Sequence, residues 1–268
     1  MNRLTTVLVK GAGDLGTGVA WRLHRTGFRV IVTELAQPLV VRRTVAFASA
    51  VYDGEITVEG ATARRAESFD AARDLTDVGI IPVLVDPETR AREFFAPRAL
   101  IDAVMAKRNT GTRITDAPLV IALGPGFMPG VDCHAAIETQ RGHNLGRVLW
   151  DCAAATNTGV PGEIGGKDTE RVLRAPRDGT LEAIRQIGDR VIRDDVIARV
   201  ADADVRAPFD GVLRGLVHAG LAVQAGAKIG DVDPRADRDM CFTISDKALA
   251  VGGGVLEAVL SWLAAQES

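Results

Sequence analysis

Apolar positions in the N-terminal half gather into short runs with amphipathic stretches between them. Thr6 to Lys10 and Phe28 to Thr33 are near-continuous apolar runs of strand length, and Ile80 to Val85 and Pro118 to Leu123 repeat the pattern. Runs of this kind suit strands covered on both faces. Between them, Leu15, Val19 and Leu23 recur at helical spacing, Glu67 to Leu75 form a second amphipathic stretch, and Leu100, Val104 and Met105 mark a third. Alternating strands and helices predict an α/β fold with a mostly parallel, doubly wound sheet. Beyond residue 170 the pattern changes to short β-rich segments, Leu181 to Ile187, Val191 to Val200, Val212 to Val217 and Val223 to Ile229. The chain then returns to helical spacing from Ser245, an N-cap residue, to Ala265, with Leu256, Val259, Leu260 and Leu263 on one face.

Composition narrows the class. The 268 residues are 47% apolar and 25% charged, with a net charge of −3. This excludes disorder, collagen-like repeats and coiled coil. A dedicated nucleic-acid binder is disfavoured as well, since no run of cations is present to meet phosphates. Neither a secretory leader pattern nor an uninterrupted apolar run of spanning length is evident, so no membrane partner and a cytoplasmic protein are expected. Cys133, Cys152 and Cys241 are odd in number and lack metal-finger spacing, which predicts reduced thiols.

Glycine is enriched, at 28 residues, and it clusters. Gly11-Ala12-Gly13-Asp14-Leu15-Gly16 follows the first apolar run and opens the first helix, while Glu34 ends the second run. Strand, G-x-G-x-x-G turn, helix, strand and acid is the order of a Rossmann dinucleotide fold. In that reading Gly11 makes the turn, Gly13 lets a pyrophosphate approach the helix N-terminus, Gly16 permits close packing, and Glu34 holds a ribose diol. Asp14 would repel a phosphate there, so a turn that binds nothing is the competing reading. A second glycine loop, Gly124-Pro125-Gly126 through Gly130, follows the fourth run and is expected to face the same crevice.

Directly afterwards come Asp132-Cys133-His134, Glu138, Arg141-Gly142-His143 and Arg147. That density of titratable groups suits an acid–base site. His134 or His143 could act as general base with Glu138 orienting it, and Arg141 and Arg147 could clamp an anion. A metal site from Cys133, His134 and His143 is disfavoured, because adjacent residues on a strand point to opposite faces. A polar turn without function is the remaining alternative. Arg42 and Arg43 could add positive charge on the nucleotide side or simply be solvated.

In the C-terminal half Arg174-Ala175-Pro176-Arg177-Asp178-Gly179 recurs as Arg206-Ala207-Pro208-Phe209-Asp210-Gly211. Two A-P-x-D-G starts, each followed by short strands, resemble the barrel-sandwich domain of biotinyl and lipoyl carriers. A carrier's modified Lys would sit on the hairpin between the halves, yet Ala201-Asp202-Ala203-Asp204 stands there. No biotin or lipoyl group is expected. The predicted organisation is a Rossmann-like nucleotide-binding domain over 1–166, a barrel-sandwich domain over 167–235, and a C-terminal helical segment over 236–268 that packs on the first domain through Gly252 to Gly254.

Several longer motifs together resemble the YqeB-type proteins of the selenium-dependent molybdenum hydroxylase system. They are Val7 to Leu15, Ala36 to Phe47, Val51 to Glu55, Gly130 to His134, Glu138-Thr139 with Arg141 to His143, and Asn157-Thr158-Gly159 leading into Pro161-Gly162-Glu163. The resemblance implies an accessory role in maturing molybdenum-cofactor-containing hydroxylases, with such a hydroxylase or other cofactor-insertion proteins as partners. A homo-oligomer is also considered. Combined with the glycine turn, the resemblance implies a bound dinucleotide, either NAD(P) or molybdopterin dinucleotide. The alternatives are a free-standing NAD(P)-dependent oxidoreductase and a non-catalytic interaction protein that docks through the barrel.

Overall fold

The computed structural model describes residues 5–157, 159 and 165–266. It forms two compact units, one made of Met1–Pro38, Phe47–Thr158 and Ile244–Ser268, the other of Leu39–Ala46 and Gly159–Thr243.

The first unit is built on one nine-stranded sheet. Its strands are β1 (Thr6–Lys10), β2 (Arg29–Glu34), β3 (Glu55–Val58), β4 (Ala61–Ala66), β5 (Ile81–Val85), β6 (Ala99–Asp102), β7 (Leu119–Leu123), β8 (Ala135–Ile137) and β9 (Val148–Leu149). They lie in the order β3-β4-β5-β2-β1-β6-β7-β8-β9. The seven inner strands are parallel, while β3 and β9 close the edges as antiparallel partners of β4 and β8. Helices α1 (Asp14–Arg25), α2 (Ala50–Asp53), α3 (Phe69–Asp77), α4 (Ala91–Phe95) and α5 (Asp246–Gln266) complete the unit. Leu8, Ile31, Leu84 and Leu100 alternate onto the face packed by Phe69 and Phe95 of α3 and α4. The other face carries α1 and α5, which pack on each other.

Glycines set how closely those two helices approach. A Cβ at Gly18 would stand 2.8 Å from Ala248, and one at Gly252 would stand 2.8 Å from the carbonyl oxygen of Gly18. Helix backbones therefore touch without intervening side chains. By length and composition α5 would suffice to cross a bilayer, but its Ala248, Val251, Gly252, Val255 and Val259 are buried in the unit. Ser245 caps it by accepting the Ala248 amide at 3.1 Å.

The Rossmann expectation is corrected by this topology. The sheet is mixed, β5 is inserted between β4 and β2, and no helix links β6 to β7 or β7 to β8. The helix expected around Leu100 is strand β6, an apolar run of Ala99, Leu100 and Ile101 buried in the middle of the sheet. A run that short carries no periodicity to separate strand from helix.

The second unit contains β10 (Val172–Arg174), β11 (Gly179–Ala183), β12 (Arg190–Val191), β13 (Val196–Val200), β14 (Ala203–Arg206), β15 (Gly211–Leu216), β16 (Ala222–Val223) and β17 (Lys228–Asp233). It consists of two four-stranded antiparallel sheets, ordered β10-β17-β15-β12 and β14-β13-β11-β16. This arrangement replaces the expected barrel-sandwich domain. Exchanging β10 to β13 with β14 to β17 converts one sheet order into the other, so the sequence repeat is a structural one. Its motif residues make matching bonds. Ala175 N–H donates to Ala227 O at 2.9 Å, as Ala207 N–H does to Asp195 O at 2.8 Å. Asp178 Oδ1 accepts the Ala225 amide at 2.7 Å, and Asp210 Oδ1 accepts the Arg193 amide at 2.8 Å. Arg174 and Arg206 donate to Gly226 O and Asp194 O, each at 2.8 Å. The R-A-P-x-D-G motif thus ties each half to the turns of the other, and its conspicuous residues serve the fold.

Candidate functional site

The carboxyl ends of β2, β1 and β6 form a polar row in an otherwise apolar sheet. Register pairs Thr33 with Lys10 and Lys10 with Asp102. Strand connections diverge on either side of β1, the place where an open parallel sheet leaves a crevice beyond its strand ends. Lys10 Nζ donates to Thr112 Oγ1 at 2.9 Å and lies 3.4 Å from Asp102 Oδ2. Thr112 Oγ1 donates to Asp102 Oδ2 at 2.5 Å, and the Val104 amide donates to Asp102 Oδ1 at 3.1 Å. Asp102 and Thr112 are 1% and 3% exposed. A buried carboxylate needs such partners.

Local sequence presents Thr112 to this cluster. Asn109 Oδ1 accepts the amides of Gly111 and Thr112 at 2.8 and 2.9 Å, while its Nδ2 donates to Thr112 O at 2.8 Å and to Asp132 Oδ1 at 3.1 Å. The loop between β6 and β7 is thereby locked without a helix. A cavity of about 150 Å³ opens beside the cluster, lined by Lys10, Thr89, Arg92, Thr112, Arg113 and Asp116. Thr89 enters from the turn before α4, a turn closed by Asp86 Oδ2 accepting the Ala91 amide at 2.8 Å. The Thr89 backbone is left-handed at φ 57°, an unfavourable conformation for a β-branched residue. Its hydroxyl is buried without a hydrogen-bond partner among the described residues.

The glycine-loop residues are placed differently from expectation. Glu34 is held by the protein's own backbone. Its two carboxylate oxygens accept the amides of Ala12 and Leu35 at 2.8 and 2.7 Å. Burial pushes its pKa up, with those two amides opposing. Ala12 O accepts the Thr17 hydroxyl at 3.0 Å and the Ala48 amide at 3.0 Å. A Cβ on Gly11, whose φ is +95°, would meet the Ala103–Val104 backbone at 3.1 Å, and one on Gly16 would stand 2.1 Å from Gly11 O. These two glycines let the β1 loop close against the β6 loop and the helix behind it. Only Gly13 faces open space, with Asp14 next to it in the first turn of α1.

The second glycine loop is likewise packed. A Cβ on Gly124 would lie 2.5 Å from Thr139 Oγ1, and one on Gly126 would lie 2.5 Å from Arg108 Cα. Arg141 makes a two-pronged pair with Asp246 at 2.6 and 2.8 Å, while Arg147 and His143 are exposed.

His134 and Glu138 stand at opposite ends of β8. His134 precedes β8 and its Nδ1 accepts the Val120 amide at 2.9 Å. That bond requires the unprotonated nitrogen, and burial lowers the pKa. Glu138 follows β8, so the strand separates the two side chains. Its carboxylate accepts the amides of Gln140 and Ala155 at 2.7 and 2.8 Å. Cys133 is fully buried with its thiol pushed up to about 12, burial being the main cause, so it is inert at neutral pH. Among the described residues no cluster of three His, Cys, Asp or Glu side chains is arranged for a metal ion. Thr158, Pro161, Gly162 and Glu163 of the longer motifs lie outside the described residues.

Sequence reading passed over Lys10, Asp102 and Thr112. Lys10 is visible as a cation ending an apolar strand, and Asp102 as a carboxylate ending a three-residue apolar run; their meeting depends on the strand order.

No family model matches the chain. The chain is 52% identical over 254 residues to the uncharacterized protein YqeB of Escherichia coli strain K12, a match covering 95% of this chain and 47% of that protein. The chain thus spans about half the length of the curated relative it matches. Solved structures that resemble it include the product-bound ectoine utilization protein EutE (DoeB) of Ruegeria pomeroyi, at 13% identity and TM-score 0.25 over 85% of each chain. An aspartoacylase family protein of Mesorhizobium loti matches at 11% identity and TM-score 0.27, over 87% of this chain and 86% of that one. A succinylglutamate desuccinylase of Silicibacter sp. TM1040 matches at 13% identity and TM-score 0.25, over 85% and 84%. Likeness at this level carries no activity to this chain. The Rossmann and barrel-sandwich expectations are corrected by the strand orders of the two units, and nothing in these comparisons supports a role in molybdenum hydroxylase maturation.

Proposed function

We propose that the first unit binds a small polar metabolite in the cavity beside Lys10, Asp102 and Thr112, on the α4 side of the strand ends. The observation that carries this reading is the hydrogen-bonded Lys10–Thr112–Asp102 cluster. An ion pair buried at the end of the central strands is weak evidence for stability, because an apolar trio of similar volume would serve the core as well or better. Retention of three polar groups beside a cavity favours recognition. The glycine loop supports the site from behind by holding β1 and β6 together, and the amide and carbonyl of its Ala12 are taken by Glu34, Thr17 and Ala48.

Amide NMR of the isotopically labelled chain, titrated with a panel of small anionic, neutral and cationic metabolites, tests the location. Shifts are expected at Thr89, Gly111, Thr112 and Arg113. Shifts confined to Gly13, Leu15 and Leu35 would place the ligand at the glycine turn and refute this reading, as would a panel without any response.

A further inference from the structure

The hydrogen-bonding inventory of the cavity defines its ligand more narrowly, and the ligand class rests on the cavity being the binding site. The carboxylates around it are occupied. Asp102 accepts Thr112, Val104 and Lys10. Asp116 accepts the Arg113 amide at 2.8 Å and lies 3.5 Å from Arg92 Nε. Glu88, also at the rim, accepts Arg90 Nε at 2.8 Å.

Donors are in surplus instead. Lys10 carries three N–H groups, and Asp102 and Thr112 use two. Thr89 is 4% exposed and its hydroxyl has no partner among the described residues, which costs free energy unless a ligand meets it. Arg113 also lines the cavity and is exposed. Each anionic side chain at the cavity is matched by a cation, and Arg113 adds one positive charge beyond that balance.

We propose that this cavity takes an oxyanion, the phosphate or carboxylate head of a small metabolite, held by Thr89 Oγ1, the third N–H of Lys10 and the Arg113 guanidinium. An acceptor-only group satisfies all three donors at once, which neither a cation nor a hydrocarbon does. The volume of about 150 Å³ equals that of a cavity known to admit benzene, so the head group enters with only a few further heavy atoms. The left-handed Thr89 backbone is the local strain that keeps its hydroxyl in place.

Isothermal titration of the full chain at fixed ionic strength tests the class, with inorganic phosphate, succinate, glycerol and choline as probes. Phosphate or succinate should bind, and glycerol and choline should not. Thr89→Val and Arg113→Gln should each weaken that binding about tenfold or more, the loss expected for one hydrogen bond to a charged group. Thr89→Val should leave the thermal midpoint unchanged or higher, because the hydroxyl it removes is unpartnered in the free protein. Anion binding insensitive to both variants would overturn the proposal by placing the anion elsewhere. NMR shifts at Thr89 and Thr112 with glycerol or choline, but with neither anion, would overturn the oxyanion class while leaving the location standing. Silence from every probe in both experiments would remove the location as well.

Discussion

Replacing Lys10 by Met tests whether the polar row behaves as a coupled, buried group. The substitution keeps the length of the side chain and leaves Asp102, 1% exposed, with only the Thr112 hydroxyl and the Val104 amide. Removing one partner of a buried pair costs about 3–5 kcal/mol. Lys10 is 14% exposed and the pair is 3.4 Å long, so the lower end, about 3 kcal/mol, is expected. At roughly 2–4 °C per kcal/mol for a domain of this size, the midpoint should fall by about 6–12 °C. Asp102→Asn should cost less, because Lys10 can turn its ammonium toward solvent. The double variant should lose less than the sum of the singles by about 1 kcal/mol or more. Tryptophan fluorescence is the assay, since Trp21, Trp150 and Trp262 all belong to the first unit and its signal follows that unit alone. Single losses that add to within about 0.5 kcal/mol would show the two side chains to be uncoupled and would refute the reasoning.

Three further outcomes are expected. Gly18→Val should destabilise the first unit by about 1–3 kcal/mol or more, because its Cβ would stand 2.8 Å from Ala248 across the α1–α5 contact; an unchanged fluorescence midpoint would show that the helices can separate at no cost. Burial lowers the pKa of both His24 and His134 below the ordinary value of 6.5, and Arg25 adds to the effect at His24. Their charging therefore favours the unfolded chain, and stability should fall as pH drops below about 6.5. His134→Asn, whose Oδ1 can accept the Val120 amide, should keep neutral-pH stability and flatten that acid loss in pH-dependent melts. Asp178→Ala and Asp210→Ala should each cost the second unit about 1 kcal/mol, and hydrogen exchange at Ala225 and Arg193 respectively should rise by similar factors, unequal effects counting against the two-fold repeat.

Much of the architecture was legible where burial is continuous. Apolar runs marked β1, β2, β5 and β7, and the i, i+4 spacing with a Ser245 cap marked α5, because period and capping are local properties. Strand order is not local. Nothing in Ala99 to Asp102 distinguishes a strand from a helix turn, and nothing around Ile81 shows that β5 inserts between β4 and β2. The site followed the same division. Gly11, Gly16 and Glu34 occupy positions the fold constrains, but the signature does not say whether the acceptor of a glycine-turn amide is a ligand or the protein's own carboxylate. In this chain it is Glu34. Lys10, Asp102 and Thr112 are brought together by register and a loop, neither of which is local to one stretch of sequence. The repeat at Ala175 and Ala207 was read as a motif with a family meaning, whereas its bonds show a two-fold structural purpose.

The division of the chain into units imposes an order of assembly. Residues 39–46 belong to the second unit but are synthesised more than a hundred residues before the rest of it, and the first unit lacks α5 until residues 244–268 follow the whole of the second. Ordinary vectorial folding, in which an N-terminal domain is finished before the next emerges, is closed to this chain. On the ribosome the Gly18 face of α1 must wait, uncovered, until α5 is made after the whole of the second unit. The small residue at Gly18 suits that interval, since it exposes little apolar surface for a wrong partner to hold.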